Sequence, residues 1–271
     1  MRYAPIETSS AIGGFIARQV VPLFISEVKA KAFGNLKSLY PTLSDEEANG
    51  IISRFLDNIG RLMAEFSIID RMIDEDRVIF NGAAKALSLV GHEPLIAIGL
   101  HTGNWEMFSP AIKKIGVRSN AFYEPPQSPV QRKIAEKTRQ RLGINLLSPD
   151  PRGVRHAIQY LRNNEVVWLT GDEVRAGNIM APLFGRKPHR VGNLFLAARL
   201  ARKTNAKIII SHCERLPRCH FTLHITEPFS LPDKAKSPLD DVKFLNDHIE
   251  PIIKANIHQW YYLDDTIGPV L

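Results

Sequence analysis

From residue 94 onward, short uncharged apolar runs alternate with segments of helical periodicity, and this alternation limits the fold more than any other feature. The runs at 94–100 (PLIAIGL) and 166–170 (VVWLT) contain no charged residue. A strand with one face in water alternates apolar with polar residues. An unbroken apolar run instead fits a strand covered on both faces, as in a parallel sheet between helical layers. Segments 104–115, 129–142, 154–163, 191–203 and 239–256 read as helices, with Gly143 stopping the second. Segments 120–123, 207–213, 220–225 and 260–263 read as further strands, and Pro125-Pro126 as a turn. The expected fold is α/β, a three-layer domain with a mostly parallel, mixed sheet.

The first 80 residues read as helical. Ser44 to Glu47 has the form of a capping box, in which the hydroxyl and the Glu47 carboxylate satisfy free amides at a helix start. Apolar residues then recur at helical spacing through Ile51, Ile52, Phe55, Leu56, Ile59, Leu62, Met63, Phe66 and Ile69, with Arg54, Asp57, Arg61 and Glu65 falling between them. No linker, repeat or low-complexity tract interrupts the 271 residues, so a single domain over 1–271 is expected, with a helical part at 1–80 and an α/β core at 81–271. The two cysteines, Cys213 and Cys219, exclude a disulfide scaffold and make a reduced, cytosolic setting the expectation. The apolar stretch at 11–25 falls short of the roughly 18–20 residues of a spanning helix, and it carries Arg18 and Pro22. It reads as an interfacial helix or as a helix packed on the domain.

Charge is unevenly spread. Residues 1–130 hold 13 basic and 14 acidic side chains, residues 131–220 hold 18 and 6, and residues 221–271 hold 4 and 8. Their net values of −1, +12 and −4 make up the chain's +7. A basic face of this kind suits phosphate, an anionic membrane surface or an acidic protein. The basic third has no helix-turn-helix, zinc-finger or aromatic-rich ribonucleoprotein pattern, so no nucleic acid partner is expected.

The chain also lacks a G-x-S-x-G elbow, a Walker A or G-x-G-x-x-G loop and an H-E-x-x-H helix. What remains is HTGNWE at 101–106, directly after an apolar strand, where open α/β sheets place their sites. Gly103 permits a tight turn. Glu106, in the first turn of the next helix, is placed to hydrogen-bond one nitrogen of His101 and raise the basicity of the other. An imidazole so held is a general base for a hydroxyl. The amides at the helix start, around Gly103 and Asn104, point to the spot where an oxyanion would develop. Base, orienting carboxylate and oxyanion donors together suit acyl transfer. Trp105 and Phe108 fit an acyl groove or the core. His212, Cys213, Cys219 and His220 flank a predicted hairpin, but strand alternation keeps the four from converging on zinc, so no metal is expected.

HTGNWE after an apolar strand resembles the H-x4-D/E motif of the lipid A biosynthesis acyltransferases, the lauroyl/myristoyl transferase family, which is related to the glycerolphosphate acyltransferases. The likeness extends over most of the chain. Asn35-Leu36, Tyr40-Pro41 and residues 44–65 are similar to the family's N-terminal helical block, and Phe122-Tyr123-Glu124-Pro125 to its F-Y-R-P block. Gly171-Asp172 through Ala181-Pro182-Leu183-Phe184-Gly185 resembles its D-x-x-x-G…V-P-F-F-G block, and His258-Gln259-Trp260 its P-E-Q-W segment.

The resemblance implies an O-acyltransferase that moves a fatty acyl chain from an acyl carrier protein thioester to a hydroxyl of a lipid A precursor. No covalent acyl-enzyme and no metal or organic cofactor would take part. His101 would deprotonate the acceptor hydroxyl and Glu106 would orient His101. The substrate contacts expected are Gly103, Asn104, Tyr123, Arg132, Asp172, Arg186, Lys187 and Arg190. Of these, Asp172 suits an acceptor hydroxyl or an arginine, and the last three suit phosphate or an acidic carrier protein. The implied location is peripheral, on the cytoplasmic face of the inner membrane.

Three departures bear on the acceptor and the membrane. Glu124 stands where the family has arginine, residues 261–265 (YYLDD) replace a His and Arg ending, and the N-terminal apolar segment is weak. A lysophospholipid or another glycolipid is therefore an alternative acceptor, and a non-catalytic lipid-binding relative an alternative role. A nucleotidyltransferase reading of HTGN lacks the second histidine that motif requires.

Overall fold

The computed structural model describes residues 4–123, 133, 144–235, 237–265 and 267. Glu124, Arg132, the 125–126 turn and, apart from Lys133, the predicted helix at 129–142 lie outside the described residues.

Five helices come first: α1 Ile6–Gln19, α2 Val21–Phe24, α3 Ser26–Leu39, α4 Asp45–Glu65 and α5 Ile69–Asp74. The capping box opens α4 as predicted. Ser44 Oγ accepts the Glu47 N–H at 3.2 Å, and Glu47 Oε2 accepts the Ser44 N–H at 2.9 Å. Ile52, Phe55, Leu56 and Leu62 are buried along the stripe, whereas Met63 and Phe66 at its end are exposed. Helices α1 and α4 cross at glycines. A Cβ on Gly60 would stand 2.1 Å from the Gly13 carbonyl oxygen, so the two backbones touch and no side chain fits between them.

The main sheet contains β1 Val78–Asn81, β2 Leu95–Gly99, β3 Ser119–Phe122, β4 Ile144–Leu147, β5 Val166–Thr170, β8 Lys207–Leu216 and β9 His220–Ile225, in the order β1-β9-β8-β2-β5-β3-β4. Its pairings are parallel except for the β8–β9 hairpin. A small hairpin of β6 Val174–Arg175 and β7 Asn178–Ile179 follows β5.

Helices cover both faces. On one side α5, α6 Ala83–Leu89 and α7 Phe108–Lys114 pack around Met72, Ala97, Ile112 and Phe221. On the other, α3, α4, α8 Pro151–Arg162, α9 Asn193–Thr204 and α10 Pro238–Ala255 pack around Phe55, Ile98, Leu169, Leu194 and Trp260. Successive β2 residues enter opposite cores, Leu95 and Ala97 one and Ile96 and Ile98 the other, which is why that run shows no alternation. Each such isoleucine contributes about 1.5–3 kcal/mol of burial.

The sequence reading differs at four places. β1, β4 and α6 carry patterns too short to have been singled out. The helix expected at 104–115 is a 3₁₀ turn, Trp105–Met107, leading into α7. Helix α8 begins at Pro151 because Asp150 Oδ1 accepts the Arg152 and Gly153 N–H groups at 2.7 and 3.0 Å. Residues 260–263 are not a strand. After the 3₁₀ turn Ile257–Gln259 they form turns across the C-terminal ends of the strands, with one bridge from Trp260 to Thr102. Among the described residues no single helix is long and apolar enough to cross a membrane, although the bent pair Ile6–Phe24 and Ser26–Leu39, at 100°, reaches that length and composition together.

Candidate active site

Strands β2 and β5 lie side by side, in a parallel register that sets Gly99 against Thr170. Two residues beyond each, His101 and Asp172 therefore meet, 71 positions apart in the chain. His101 Nδ1 and Asp172 Oδ1 are 2.8 Å apart. Asp172 Oδ2 accepts the His101 backbone N–H and the Trp260 Nε1–H, each at 2.9 Å. These bonds satisfy a carboxylate that is fully buried. They fix the ring and leave Nε2, which has no partner among the described residues. The rings of Trp105 and Tyr262 pack edge-on against the imidazole, with centroids 4.9 Å away. Burial pushes the Tyr262 phenol above its ordinary range.

The carboxylate on Nδ1 is thus Asp172 and not the Glu106 that the motif's spacing suggests. Sheet pairing delivers the distant residue to Nδ1, and Glu106 instead lines the cavity in front of His101. Asp172, expected as a substrate contact, is committed to His101 and Trp260.

That cavity measures about 440 Å3, and Trp105, Phe108, Tyr123, Trp168, Glu173 and Tyr262 contribute to its wall. Of the two placements expected for them, Trp105 and Phe108 border this cavity, and Phe108 also belongs to the buried core. Trp168 also borders a small second cavity of about 30 Å3, lined by apolar residues such as Phe80, Leu87 and Ile112. At the polar end, Glu173 Oε1 accepts the Asn193 N–H at the start of α9 at 2.6 Å, and Oε2 is buried with no hydrogen-bond partner among the described residues. Burial pushes the Glu173 carboxyl up to about 8. The Arg175 guanidinium, 3.7 Å from Oε1, acts in the opposite sense to burial.

The loop carrying His101 rests on a buried polar network. Gly103 has φ +57°, and a Cβ there would stand 2.5 Å from the Cys213 carbonyl oxygen, so only glycine turns the chain at this point. Its N–H donates to the Gln259 carbonyl at 3.1 Å. Asn104 is fully buried and donates to Glu65 Oε2 at 2.8 Å. Neither residue lines the cavity, so the expected oxyanion and substrate contacts at Gly103 and Asn104 stand behind the loop instead. Glu65 also accepts Ser10 Oγ at 2.6 Å and Arg215 Nη1 and Nη2 at 2.5 and 2.9 Å. Arg215 Nε reaches Asn58 Oδ1 at 2.8 Å, and Asn58 Nδ2 donates to the Gly103 and Gln259 carbonyls at 3.3 and 3.2 Å. The sequence reading had Glu65 among the charges between apolar positions. A finer signal was present, because Asn58 and Glu65 lie seven apart, in line with the buried Phe55 and Leu62.

The remaining expected contacts divide. Tyr123 lines the cavity. Arg186 does not, because its guanidinium donates to the Leu183, Ile179 and Ala181 carbonyls and holds that loop together. Lys187 and Arg190 are exposed outside the cavity, and Arg132 lies outside the described residues. Gln259 and Trp260 support the histidine loop from behind. Cys213 is buried, and burial pushes its thiol up to about 12, so it is not a nucleophile. Among the described residues no group of three or more His, Cys, Asp or Glu side chains is arranged to hold a metal ion.

Comparison with known proteins adds the family. No curated protein matches the chain. Among solved structures it is similar to the 1-acyl-sn-glycerophosphate (LPA) acyltransferase, PlsC, from Thermotoga maritima, at 15% identity and a TM-score of 0.43, with 90% of this chain and 99% of that one covered. A family model described as bacterial lipid A biosynthesis acyltransferase matches residues 1–266, a span that takes in the histidine loop, its aspartate and the Gln259-Trp260 support. The chain therefore belongs to the bacterial lipid A biosynthesis acyltransferase family and is an acyltransferase that acts on lipids.

Proposed function

We propose that the enzyme transfers a fatty acyl chain from an acyl carrier protein thioester to a hydroxyl of a lipid A precursor or a closely related lipid, with His101 as general base. The observation that carries this reading is the 2.8 Å contact between His101 Nδ1 and the buried Asp172, at the wall of an aromatic cavity. Asp172 accepts from Nδ1–H and stabilises the imidazolium that forms. Nε2 takes the proton of the acceptor hydroxyl as its oxygen attacks the thioester carbonyl. The C–S bond of the tetrahedral intermediate then breaks, and the imidazolium returns its proton to the departing thiolate. Acyl transfer is direct, and no metal or organic cofactor enters. Trp105, Phe108 and Tyr262 supply apolar wall for the chain, and Glu106 and Tyr123 meet the polar part of the substrates.

The N-terminal helices support a peripheral position on the cytoplasmic face of the inner membrane. Leu23 and Phe24 are 78% and 82% exposed, and Ile12, Phe15 and Ile16 are exposed on the preceding helix, with Arg18 among them. An exposed apolar surface of this kind suits insertion into a lipid interface.

The experiment is acyl transfer from dodecanoyl-acyl carrier protein to a bacterial lipid extract, with the products identified by mass spectrometry. His101→Ala should reduce turnover about 10³-fold. Full activity in that variant would overturn the mechanism, and acylation confined to lysophospholipids would move the acceptor to that class.

A further inference from the structure

A groove of about 780 Å3, larger than the catalytic cavity, lies along α8, α9 and the segment entering α10, away from His101. Its floor is apolar, with Val154 and Ile158 from α8 and Phe195 and Leu196 from α9. Its charged rim is mostly cationic. Arg199 and Lys203 line it, and Arg155 is exposed on the neighbouring α8. Arg202 closes a two-pronged pair with Asp241 at 2.9 and 2.6 Å, and Asp233 also acts on Arg202, so this stretch of the rim carries one net negative charge and the surplus rests on Arg155, Arg199 and Lys203. Arg155, Arg199 and Lys203 make no ion pair among the described residues. These three cations belong to the basic third of the chain.

The groove and the catalytic cavity share one helix. Asn193, the first residue of α9, lines the cavity, and Phe195 to Lys203 line the groove. From Asn193 to Lys203 the helix rises about 15 Å. A partner seated in the groove would lie beside the cavity, within reach of an extended thioester arm.

We propose that this groove docks an acidic amphipathic helix of the carrier protein that delivers the acyl chain. The helix's apolar face lies on Phe195, Leu196, Val154 and Ile158, and its carboxylates meet Arg155, Arg199 and Lys203. A concave apolar floor between two helices, with a cationic rim, matches a helix laid in a groove. Charge complementarity of this kind steers encounter and fixes orientation. The identification of the donor as a carrier-bound thioester rests on the proposed function, whereas the docking surface is argued from the groove itself.

The test compares wild-type protein with an Arg155→Glu/Arg199→Glu/Lys203→Glu variant. Fluorescently labelled holo-acyl carrier protein is titrated and followed by anisotropy at low and high salt. A second arm measures turnover of an acyl-pantetheine thioester, which carries no protein. Carrier binding should weaken about tenfold or more in the variant, and also in wild-type protein at high salt, which needs no substitution. Acyl-pantetheine turnover and the melting temperature should stay at wild-type levels. Carrier binding unchanged in the variant, or a loss of acyl-pantetheine turnover in step with carrier binding, would each overturn the proposal. Charge-dependent carrier binding without acyl transfer by wild-type protein would support the groove and remove the proposed reaction. Transfer from the carrier at wild-type rate in the variant would keep the reaction and remove the groove.

Discussion

Asp172 has both of its oxygens committed around His101, and this makes its amide analogue informative. Asp172→Asn preserves shape but weakens the hold on Nδ1–H and removes the charge that stabilises the imidazolium. Turnover should fall about 10²- to 10⁴-fold with the fold intact by circular dichroism. Glu106→Gln leaves the 2.8 Å bond in place and should lose less. A larger loss in Glu106→Gln than in Asp172→Asn would return the orienting role to Glu106. Glu173 gives a second prediction at this scale. Its carboxyl is raised by burial to about 8, so between the usual carboxylate range and about pH 8 the folded chain holds a proton that the unfolded chain has released. Stability contributed at this site therefore falls as pH rises through that window. Glu173→Gln keeps an acceptor for the Asn193 N–H and should flatten the decline in melting temperature between about pH 5 and 8. An unchanged pH slope would count against a buried, protonated Glu173. His101 was legible in the sequence because the strand end, the glycine and the histidine are contiguous. Its partner was not, because nothing in a single sequence says that β5 is the neighbour of β2.

At the scale of elements, α4 is the strut beneath the active loop. Its Asn58 and Glu65 reach the 103–104 backbone and side chain directly, and Arg215 of β8 closes the network. Arg215→Ala would strand a carboxylate with no exposed surface and should destabilise the fold by about 3–5 kcal/mol in chemical denaturation. Gly60→Ala would drive a methyl group to 2.1 Å from the Gly13 carbonyl and should cost about 1–3 kcal/mol as α1 is pushed away. A melting temperature equal to wild type would show that the crossing is looser than the geometry implies. The central strands could be read because burial on both faces writes an uninterrupted apolar run. The 260–263 segment misled because an aromatic cluster satisfies strand composition equally well. There the rings are used to flank an imidazole and to bond Asp172, not to extend a ladder.

For the whole molecule, the uneven charge and the exposed apolar helices point to two different surfaces. The cationic groove lies along α8 and α9, whereas the apolar patch lies on α1 and α2. Replacing Leu23 and Phe24 together with serine should reduce co-sedimentation with anionic vesicles several-fold and leave the melting temperature unchanged. Vesicle binding equal to wild type would remove the patch from membrane attachment. The basic surplus was visible in composition, but its division among half-buried staples such as Arg186, ion-paired residues such as Arg202 and exposed rim residues was not. That division depends on which carbonyls and carboxylates the fold brings alongside.

The glycine crossing sets a length. The exposed side of α1 is joined through touching backbones to α4, and α4 through Asn58 and Glu65 to the loop that carries His101. Each of these junctions is a direct backbone or side-chain contact. On the proposed membrane placement, a lipid surface that receives Phe15 of α1 would be linked to the His101 loop through this chain of contacts. On that same proposed placement, the length of this linkage would bear on which hydroxyl reaches His101, as a depth gauge does, in addition to the hydroxyl's chemistry.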